Sequence, residues 1–294
     1  MKLLIYGAGV IGCLYAALFS EAGYDVTIYA RGKRLDSLKK TGLLYEKNKK
    51  IIRAKARVID KVENDDIFDF VFLTIRENQV HEALNELSNN ASLNIVTMVN
   101  TLESYSSWEK ICGKGRIIPA FPGAGGGFEG DVLHAALTPW IIQPTTFAEI
   151  SGEKTERVQK LADVFKHAKI PYQIVNDMHV WQICHLAMVV PIADAYYEAE
   201  NPQKAGLEKE VMLKTAKQMR NNFSKLNKAG IVLSPKKMHL FRLIPIPVLQ
   251  VGLSIVFQSK FGDMFMYQHS MKAPGEMRRL HEQFYEYMKE IKEK

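Results

Sequence analysis

The sequence predicts an α/β domain built on a parallel sheet over residues 1–176 and an all-α domain over residues 177–294. From Lys2 to Val175, short β-branched runs alternate with helical stretches, a pattern typical of a parallel sheet covered on both faces. After Asp177 the extended runs stop and long helix-patterned segments follow. A chain of 294 residues, 47% hydrophobic and 24% charged, is long enough for two globular domains of this kind.

Five runs in the first domain have the β-branched composition of strands: LLIY, DVTIY, FVFLTI, NIVTMV and RIIPAF. Between them, VIGCLYAALFSEAG and ENQVHEALNELS have the periodicity of helices. The later stretch VLHAALTPWIIQPTTFAEIS is expected to add edge strands, KTERVQKLADVFKHA one more helix, and YQIV a last strand. In the second domain, Gly230 and the Ser234-Pro235 pair mark the end of one long helix and the start of the next segment.

The cysteine content and the charge exclude several classes of protein. Three cysteines without a CxxC spacing (Cys13, Cys112 and Cys184) predict neither a disulfide framework nor a metal site. The net charge of +7 is spread over the chain, and the C-terminal EMRRLHEQFYEYMKEIKEK mixes both signs, as on a solvated helix face. We therefore predict no nucleic-acid partner.

The longest apolar run, LFRLIPIPVLQVGLSIVF from Leu240, contains Arg242, Pro245 and Pro247. These residues favour a buried segment over a membrane span. At the N-terminus, Gly7 interrupts the apolar run too early for a signal peptide. The prediction is a cytoplasmic protein without a membrane partner.

The segment Gly7-Ala8-Gly9-Val10-Ile11-Gly12 follows a predicted strand and opens a predicted helix. In this context the first glycine permits a tight turn, the second lets the backbone approach a pyrophosphate, and the third lets helix and strand pack closely. The helix N-terminus then faces the phosphates. The segment predicts a Rossmann-like dinucleotide-binding domain, the alternative being a tight turn without a ligand.

The end of the second predicted strand indicates which dinucleotide binds. An acidic residue there would bind the ribose 2′-hydroxyl of NAD, but the strand ends in Tyr29-Ala30 and is followed by Arg31. An arginine suits a 2′-phosphate because its guanidinium makes paired, charge-assisted hydrogen bonds. Arg34 is a second candidate contact. We predict NADP as the cofactor, the alternative being an exposed arginine pair without a function.

The stretch GAGVIGCLYAALFSEAGYDVTIYARGKRLDSLKKTGL resembles the opening of the ketopantoate (2-dehydropantoate) reductase family. The resemblance continues in FVFLTIRENQVHEAL, where Arg76 and Gln79 match the family's basic residue and glutamine. It also covers TMVNTLES, where Asn100 takes the place of the family's asparagine and Thr101 that of a glycine. The resemblance implies that Arg76, Gln79 and Asn100 bind the cofactor and that the substrate is a small carbonyl compound. It also implies that Asn100 lies near the nicotinamide end, where we predict that it is a catalytic residue that orients the substrate.

The second domain departs from the family's motif W-x-K-x-x-x-N-x-x-x-N, in which the lysine donates a proton and the asparagines bind substrate. Aligned on Trp181, these places hold Ile183, Ala187 and Pro191. An apolar face cannot protonate an alkoxide, so the departure argues against ketopantoate as the substrate.

Three other residues are candidates for the missing chemistry. His185 could act as an acid, although it lies about 200° around the helix from Ile183. Ser270 and Glu282 reproduce the spacing of the family's substrate-binding serine and glutamate. A packed histidine and a solvated glutamate are the alternatives.

Two hypotheses follow. The first is an NADPH-dependent reductase of a small 2-oxo acid or related carbonyl compound. The second is a non-catalytic NADP-binding sensor or interaction protein that has lost the catalytic lysine. The sequence leaves the oligomeric state open, with a homodimer as one candidate.

Overall fold

The computed structural model describes residues 1–291. The chain divides into two compact units, Met1–Met178 and His179–Lys294. The first unit is an α/β domain and the second is helical, as the sequence predicts. The boundary between residues 176 and 177 stays a prediction.

The first unit contains all the strands of the described residues. They are β1 (Lys2–Tyr6), β2 (Asp25–Tyr29), β3 (Leu43–Lys47), β4 (Lys50–Ala54), β5 (Arg57–Ile59), β6 (Phe70–Leu73), β7 (Ile95–Met98), β8 (Ile117–Phe121), β9 (Ala124–Glu129), β10 (Val132–Leu137), β11 (Thr145–Phe147) and β12 (Tyr172–Ile174).

Helices form in both units. They are α1 (Val10–Glu21), α2 (Gly32–Thr41), α3 (Val80–Leu87), α4 (Tyr105–Cys112), α5 (Glu156–His167), α6 (Met178–Glu198), α7 (Lys209–Lys228), α8 (Leu240–Leu243), α9 (Ile246–Phe257), α10 (Lys260–Gly262), α11 (Gln268–Lys272) and α12 (Pro274–Glu290). A short 3-10 turn, Glu77–Gln79, precedes α3.

The main sheet has eight strands in the order β12-β11-β8-β7-β6-β1-β2-β5. β1 pairs in parallel with β2 on one side and β6 on the other. The register aligns Tyr6 with Tyr29 and with Leu73, so the segments that follow these three strands meet at one edge. In an open parallel sheet this carboxyl edge is where ligands bind.

A second sheet, in the order β4-β3-β10-β9, is absent from the sequence-based prediction. The run VLHAAL, expected to form an edge strand of the main sheet, instead forms β10 and pairs with β9 and β3. β11 pairs antiparallel with β8 inside the main sheet, and β12 takes the edge. The strands of this small sheet contact α1. Because β9 is AGGGFE, its glycines gave no strand signal.

The core of the first unit is aromatic on the face covered by α1 and α5. Phe19 of α1 lies 4.9 Å from Phe72 of β6 and 6.1 Å from Phe165 of α5, measured between ring centroids. Phe147 of β11 completes the group at 5.3 Å from Phe165. All four are fully buried, and truncating any one to Ala should cost about 3–5 kcal/mol. This core fixes α1, and therefore the glycine segment at its N-terminus.

The second unit packs its helices around aromatic pairs. Tyr196 of α6 stacks on Phe257 of α9 at 4.6 Å, and Phe223 of α7 stacks on Phe241 of α8 at 5.1 Å. The central stretches of α6 and α7 supply most of the buried residues in this unit.

The apolar run from Leu240 does not form the buried segment expected from the sequence. Leu243, Val251 and Ile255 are 69%, 59% and 64% exposed, because α9 turns only one face inward and its apolar residues continue around the helix. Within residues 1–291, no single helix has the length and apolarity to cross a membrane. The segments Lys236–Leu243 and Ile246–Phe257, bent by 119°, meet that criterion only when taken as a pair.

Candidate functional site

The three glycines of the loop after β1 have different surroundings. A side chain on Gly7 (φ +115°) would place its Cβ 2.7 Å from the Thr74 carbonyl oxygen, and one on Gly12 would lie 2.0 Å from the Gly7 carbonyl oxygen. These two positions are therefore closed by packing. A Cβ on Gly9 would meet nothing within 4 Å, so the backbone here faces open space.

Gly9 is also the N-cap of α1, and no side chain caps this helix terminus. The first turn of α1 has no acidic residue. The free amides and the positive end of the helix dipole suit an anionic group such as a pyrophosphate. The loop residues Gly7-Ala8-Gly9-Val10-Ile11-Gly12 thus leave room for an anionic ligand, and their role in binding a dinucleotide stays a prediction.

Arg31 follows β2 and is held by two carboxylates that the sequence did not place there. Its Nη1 donates to Glu82 at 2.7 Å and its Nη2 to Glu86 at 2.5 Å. Both glutamates lie on α3. They are separated from Arg31 in sequence by 51 and 55 residues, so no local pattern announces the contact.

Two tyrosines at the strand ends complete this network. Tyr6 and Tyr29 stack with ring centroids 4.3 Å apart, because their strands are paired in register. Arg31 donates from Nε to the Tyr29 hydroxyl at 2.5 Å and from Nη2 to the Tyr6 hydroxyl at 3.0 Å, while both hydroxyls donate to Glu86. Burial and the Glu86 carboxylate raise the pKa of Tyr6. The Glu82 hydrogen bond is the main cause that raises the pKa of Arg31, so the guanidinium is always charged.

Arg34 points toward the glycine loop instead. Its Nε donates to the Ala8 carbonyl oxygen at 3.3 Å, and its guanidinium lies 4.0 Å from the centre of the Phe128 ring. Nη2 lies 3.6 Å from the Cys13 sulfur. In this position Arg34 connects α2 to the loop that would hold the pyrophosphate.

Arg76 and Gln79 lie beyond the end of β6, beside the end of β1. Both side chains are exposed, and the Gln79 side-chain oxygen accepts from the Arg76 backbone N–H at 3.3 Å. Asn100 follows β7, the next strand of the sheet. Its Oδ1 is buried without a hydrogen-bond partner among the described residues. An unsatisfied buried acceptor costs about 1–3 kcal/mol, so Asn100 is suited to receive a donor from a ligand.

In the second unit, the positions of the family's lysine and asparagines lie on α6. Ile183 and Ala187 are 1% and 0% exposed, and Pro191 is buried as well. The Ala187 carbonyl oxygen accepts from Asn222 of α7 at 3.2 Å, which ties this stretch to the helical core. None of the three side chains can move a proton.

His185 is placed unfavourably for acid catalysis. It is 5% exposed and stacks on Trp181 with 5.1 Å between ring centroids. Burial lowers the pKa of His185 to about 3, so the imidazole is neutral near pH 7. Ser270 is buried on α11, where its backbone carbonyl accepts from the Tyr197 hydroxyl at 2.6 Å, whereas Glu282 is exposed on α12.

A His–Asp pair in the second unit went unnoticed in the sequence. His281 Nδ1 lies 2.9 and 3.0 Å from the two carboxylate oxygens of Asp194. The His281 side chain is 42% exposed. The two residues are 87 positions apart, on α12 and α6, and only the fold brings them together. Within residues 1–291, no cluster of His, Cys, Asp and Glu could hold a metal ion.

The parallel sheet and glycine loop define an α/β domain of the dinucleotide-binding class. Residues 3–144 match the family model of ketopantoate reductase PanE/ApbA. Over these residues the first domain is similar to that of the ketopantoate reductase family.

The relatives show how far this likeness extends. A 2-dehydropantoate 2-reductase from Mesorhizobium japonicum is 28% identical over 206 residues, which cover 62% of this chain and 62% of that enzyme. The matches span 55% to 62% of the length of the first curated relatives.

Solved structures resemble the whole chain. The 2-dehydropantoate 2-reductase from Geobacter metallireducens has a TM-score of 0.69 at 14% identity, over 98% of both chains. A D-mandelate dehydrogenase in complex with NADH has a TM-score of 0.68 at 16% identity, over 99% of this chain and 97% of the other. At these identities the likeness shows the fold.

Proposed function

We propose that this protein is an NADPH-dependent reductase of a small 2-oxo acid or a related carbonyl compound. The observation that carries the proposal is the glycine loop, in which Gly7 and Gly12 are closed by packing while Gly9 faces open space at an uncapped helix N-terminus. The opening lets a ligand approach the backbone at the positive end of the helix.

The residues along the carboxyl edge of the sheet fit the parts of such a cofactor. The amides of the Gly9 loop would hold the pyrophosphate, with Arg76 as an exposed cation nearby. Arg31 would meet the 2′-phosphate. Asn100 would accept a hydrogen bond from the nicotinamide end, which would satisfy its buried Oδ1. When bound, the reduced nicotinamide supplies a hydride.

The residues of the second unit shape the choice of substrate. The buried, apolar Ile183 and Ala187 replace groups that protonate and bind ketopantoate in the family, so we propose a substrate with a hydrophobic substituent. Ser270 and Glu282 remain proposed substrate contacts. The proton would come from water.

The experiment has two steps. First, NADPH and NADH are titrated into the wild-type protein and their effect on the melting temperature is measured; a cofactor that binds the folded state must raise it. Second, 2-oxo acids, ketones and aldehydes are screened for oxidation of NADPH. A substrate in this set supports the proposal, and a stable protein that binds neither cofactor contradicts it.

A non-catalytic NADP-binding protein, the alternative hypothesis, finds no support in the comparisons. The relatives described above are named as reductases and a dehydrogenase. The same screen tests this alternative, since a non-catalytic protein would bind the cofactor without turnover of any carbonyl compound.

A further inference from the structure

The residue that should recognise a 2′-phosphate is already paired with two negative charges. All three guanidinium nitrogens of Arg31 are engaged: Nε with Tyr29, Nη1 with Glu82, and Nη2 with Glu86 and Tyr6. The single positive charge of Arg31 faces two carboxylates, so these three residues together carry a net negative charge. Such a group repels a phosphate dianion unless the ion pairs rearrange.

The network is built by the fold and not by a chance approach of two flexible side chains. Tyr6 and Tyr29 end neighbouring strands in register, and both hydroxyls donate to Glu86. Glu82 and Glu86 lie one turn apart on α3, so both point to the same side of that helix. The carboxylates are therefore held at the end of β2, where an NAD-binding protein carries the acid that accepts from the ribose 2′-hydroxyl.

We infer that Glu82 and Glu86 are cofactor-specificity residues that oppose the 2′-phosphate and admit NADH to the same site. The inference rests on the proposed function, namely on a dinucleotide bound along this edge of the sheet. Arg31 favours NADPH, and the α3 carboxylates reduce that preference by competing for the guanidinium and by repelling the phosphate. No acidic residue follows β2 in the sequence, but the fold places the carboxylates of α3 beside the end of this strand.

The two carboxylates would also contribute to NADH binding. An ionised glutamate accepts hydrogen bonds only, and a ribose hydroxyl can donate one. The same groups that weaken the contact with a phosphate would therefore strengthen the contact with a hydroxyl. Replacing a glutamate by glutamine removes the charge and keeps the size of the side chain.

The test measures the dissociation constants of NADPH and NADH for the wild-type protein and for Glu82→Gln, Glu86→Gln and the double variant. We expect the ratio Kd(NADH)/Kd(NADPH) to rise by about three- to tenfold for each substitution, since the pairs are partly exposed and screened by solvent. Glu156→Gln is the matched control, because it removes one charge from an exposed pair with Lys160 on α5. The control should leave the ratio unchanged.

Glu82 is 63% exposed, so Glu82→Gln keeps the test valid even if Glu86→Gln lowers stability. A ratio that stays constant or falls in variants that still bind cofactor would overturn the specificity role of the glutamates. Failure of the folded wild-type protein to bind either cofactor would instead overturn the proposed function, so the two failures are distinguishable.

Discussion

At the scale of single residues, the glycines of the loop after β1 have different surroundings, although the sequence motif treats them alike. Gly12 lacks a side chain because the Gly7 carbonyl oxygen and Thr74 Oγ1 stand 2.0 and 2.4 Å from where its Cβ would be. Gly9 has no such neighbour. The motif alone cannot tell a glycine required by packing from one required by a ligand.

Replacing Gly12 by Ala should destabilise the first unit by about 2–4 kcal/mol, as overpacking against backbone does. Urea unfolding followed by circular dichroism measures this loss. Gly9→Ala is the matched control and should unfold at the wild-type midpoint. Equal stability of the two variants would contradict the packing role of Gly12.

Arg31→Ala should weaken NADPH binding by about 1.5–3 kcal/mol, the range for hydrogen bonds to charged groups, while NADH binding changes less. Isothermal titration of both cofactors measures the difference. If the two dissociation constants keep their wild-type ratio in this variant, Arg31 does not meet the 2′-phosphate.

At the scale of secondary-structure elements, a buried ion pair joins the end of β11 to α5. Glu149 is 5% exposed and accepts from Arg157 Nη2 at 2.5 Å and Nε at 2.6 Å. Burial by itself raises the pKa of Glu149, but the hydrogen bonds from Arg157 and Thr155 outweigh it and lower the pKa below its ordinary value. The ionised form is therefore favoured in the folded state.

Glu149→Gln should lower the free energy of unfolding by about 2–3 kcal/mol at neutral pH, because Arg157 loses its counter-ion. The folded-state pKa is depressed, so this stability is present above the unfolded-state pKa and is lost as the pH falls through the folded-state value. Denaturant unfolding from neutral to acidic pH should show the variant and wild type converging in acid. Glu153→Gln, at an exposed site nearby, should match wild type throughout.

The strands and helices that the sequence predicted are those with strong local signals. α1, α5 and the central strands β1, β2, β6, β7 and β8 have clear periodicity or β-branched runs. The glycine-rich β9 has no strand signal in its sequence, and the apolar run predicted a buried segment where one face of α9 is exposed. Tertiary contacts determine both the pairing of β9 and the burial of α9. Arg31 was predicted as a cofactor residue from its place after β2, and that role stays a prediction. Glu82, Glu86 and the Asp194–His281 pair make contacts between residues far apart in sequence, which no local pattern indicates.

At the scale of the whole molecule, the first domain carries the family match and the second carries the departures from it. Residues 3–144 match the family model, while α6 replaces the family's lysine and asparagines by Ile183, Ala187 and Pro191. The first domain is thus similar to that of the family, whereas α6 carries apolar residues at the three aligned positions.

With NADPH saturating, wild-type protein should reduce ketopantoate about 10²–10⁴ times more slowly than a working family member, the usual contribution of general acid catalysis. Ile183→Lys alone should recover little of this rate, because Ala187 and Pro191 also lack amides and such groups act as a unit. Steady-state rates of ketopantoate reduction by the wild-type protein, by Ile183→Lys and by a working family member test both expectations. Rapid turnover of ketopantoate by the wild-type protein would show that another group supplies the proton.

The most direct test of the central claim, a dinucleotide held by the Gly9 loop, is a calorimetric titration of NADPH into wild-type protein and into Gly9→Val. The valine meets no atom of the protein within 4 Å at its Cβ and the backbone there is extended, so the variant should fold as wild type does. We expect saturable NADPH binding by the wild-type protein and its loss in the folded variant, because the valine side chain fills the space of the pyrophosphate. NADPH binding of equal affinity to both proteins would contradict it.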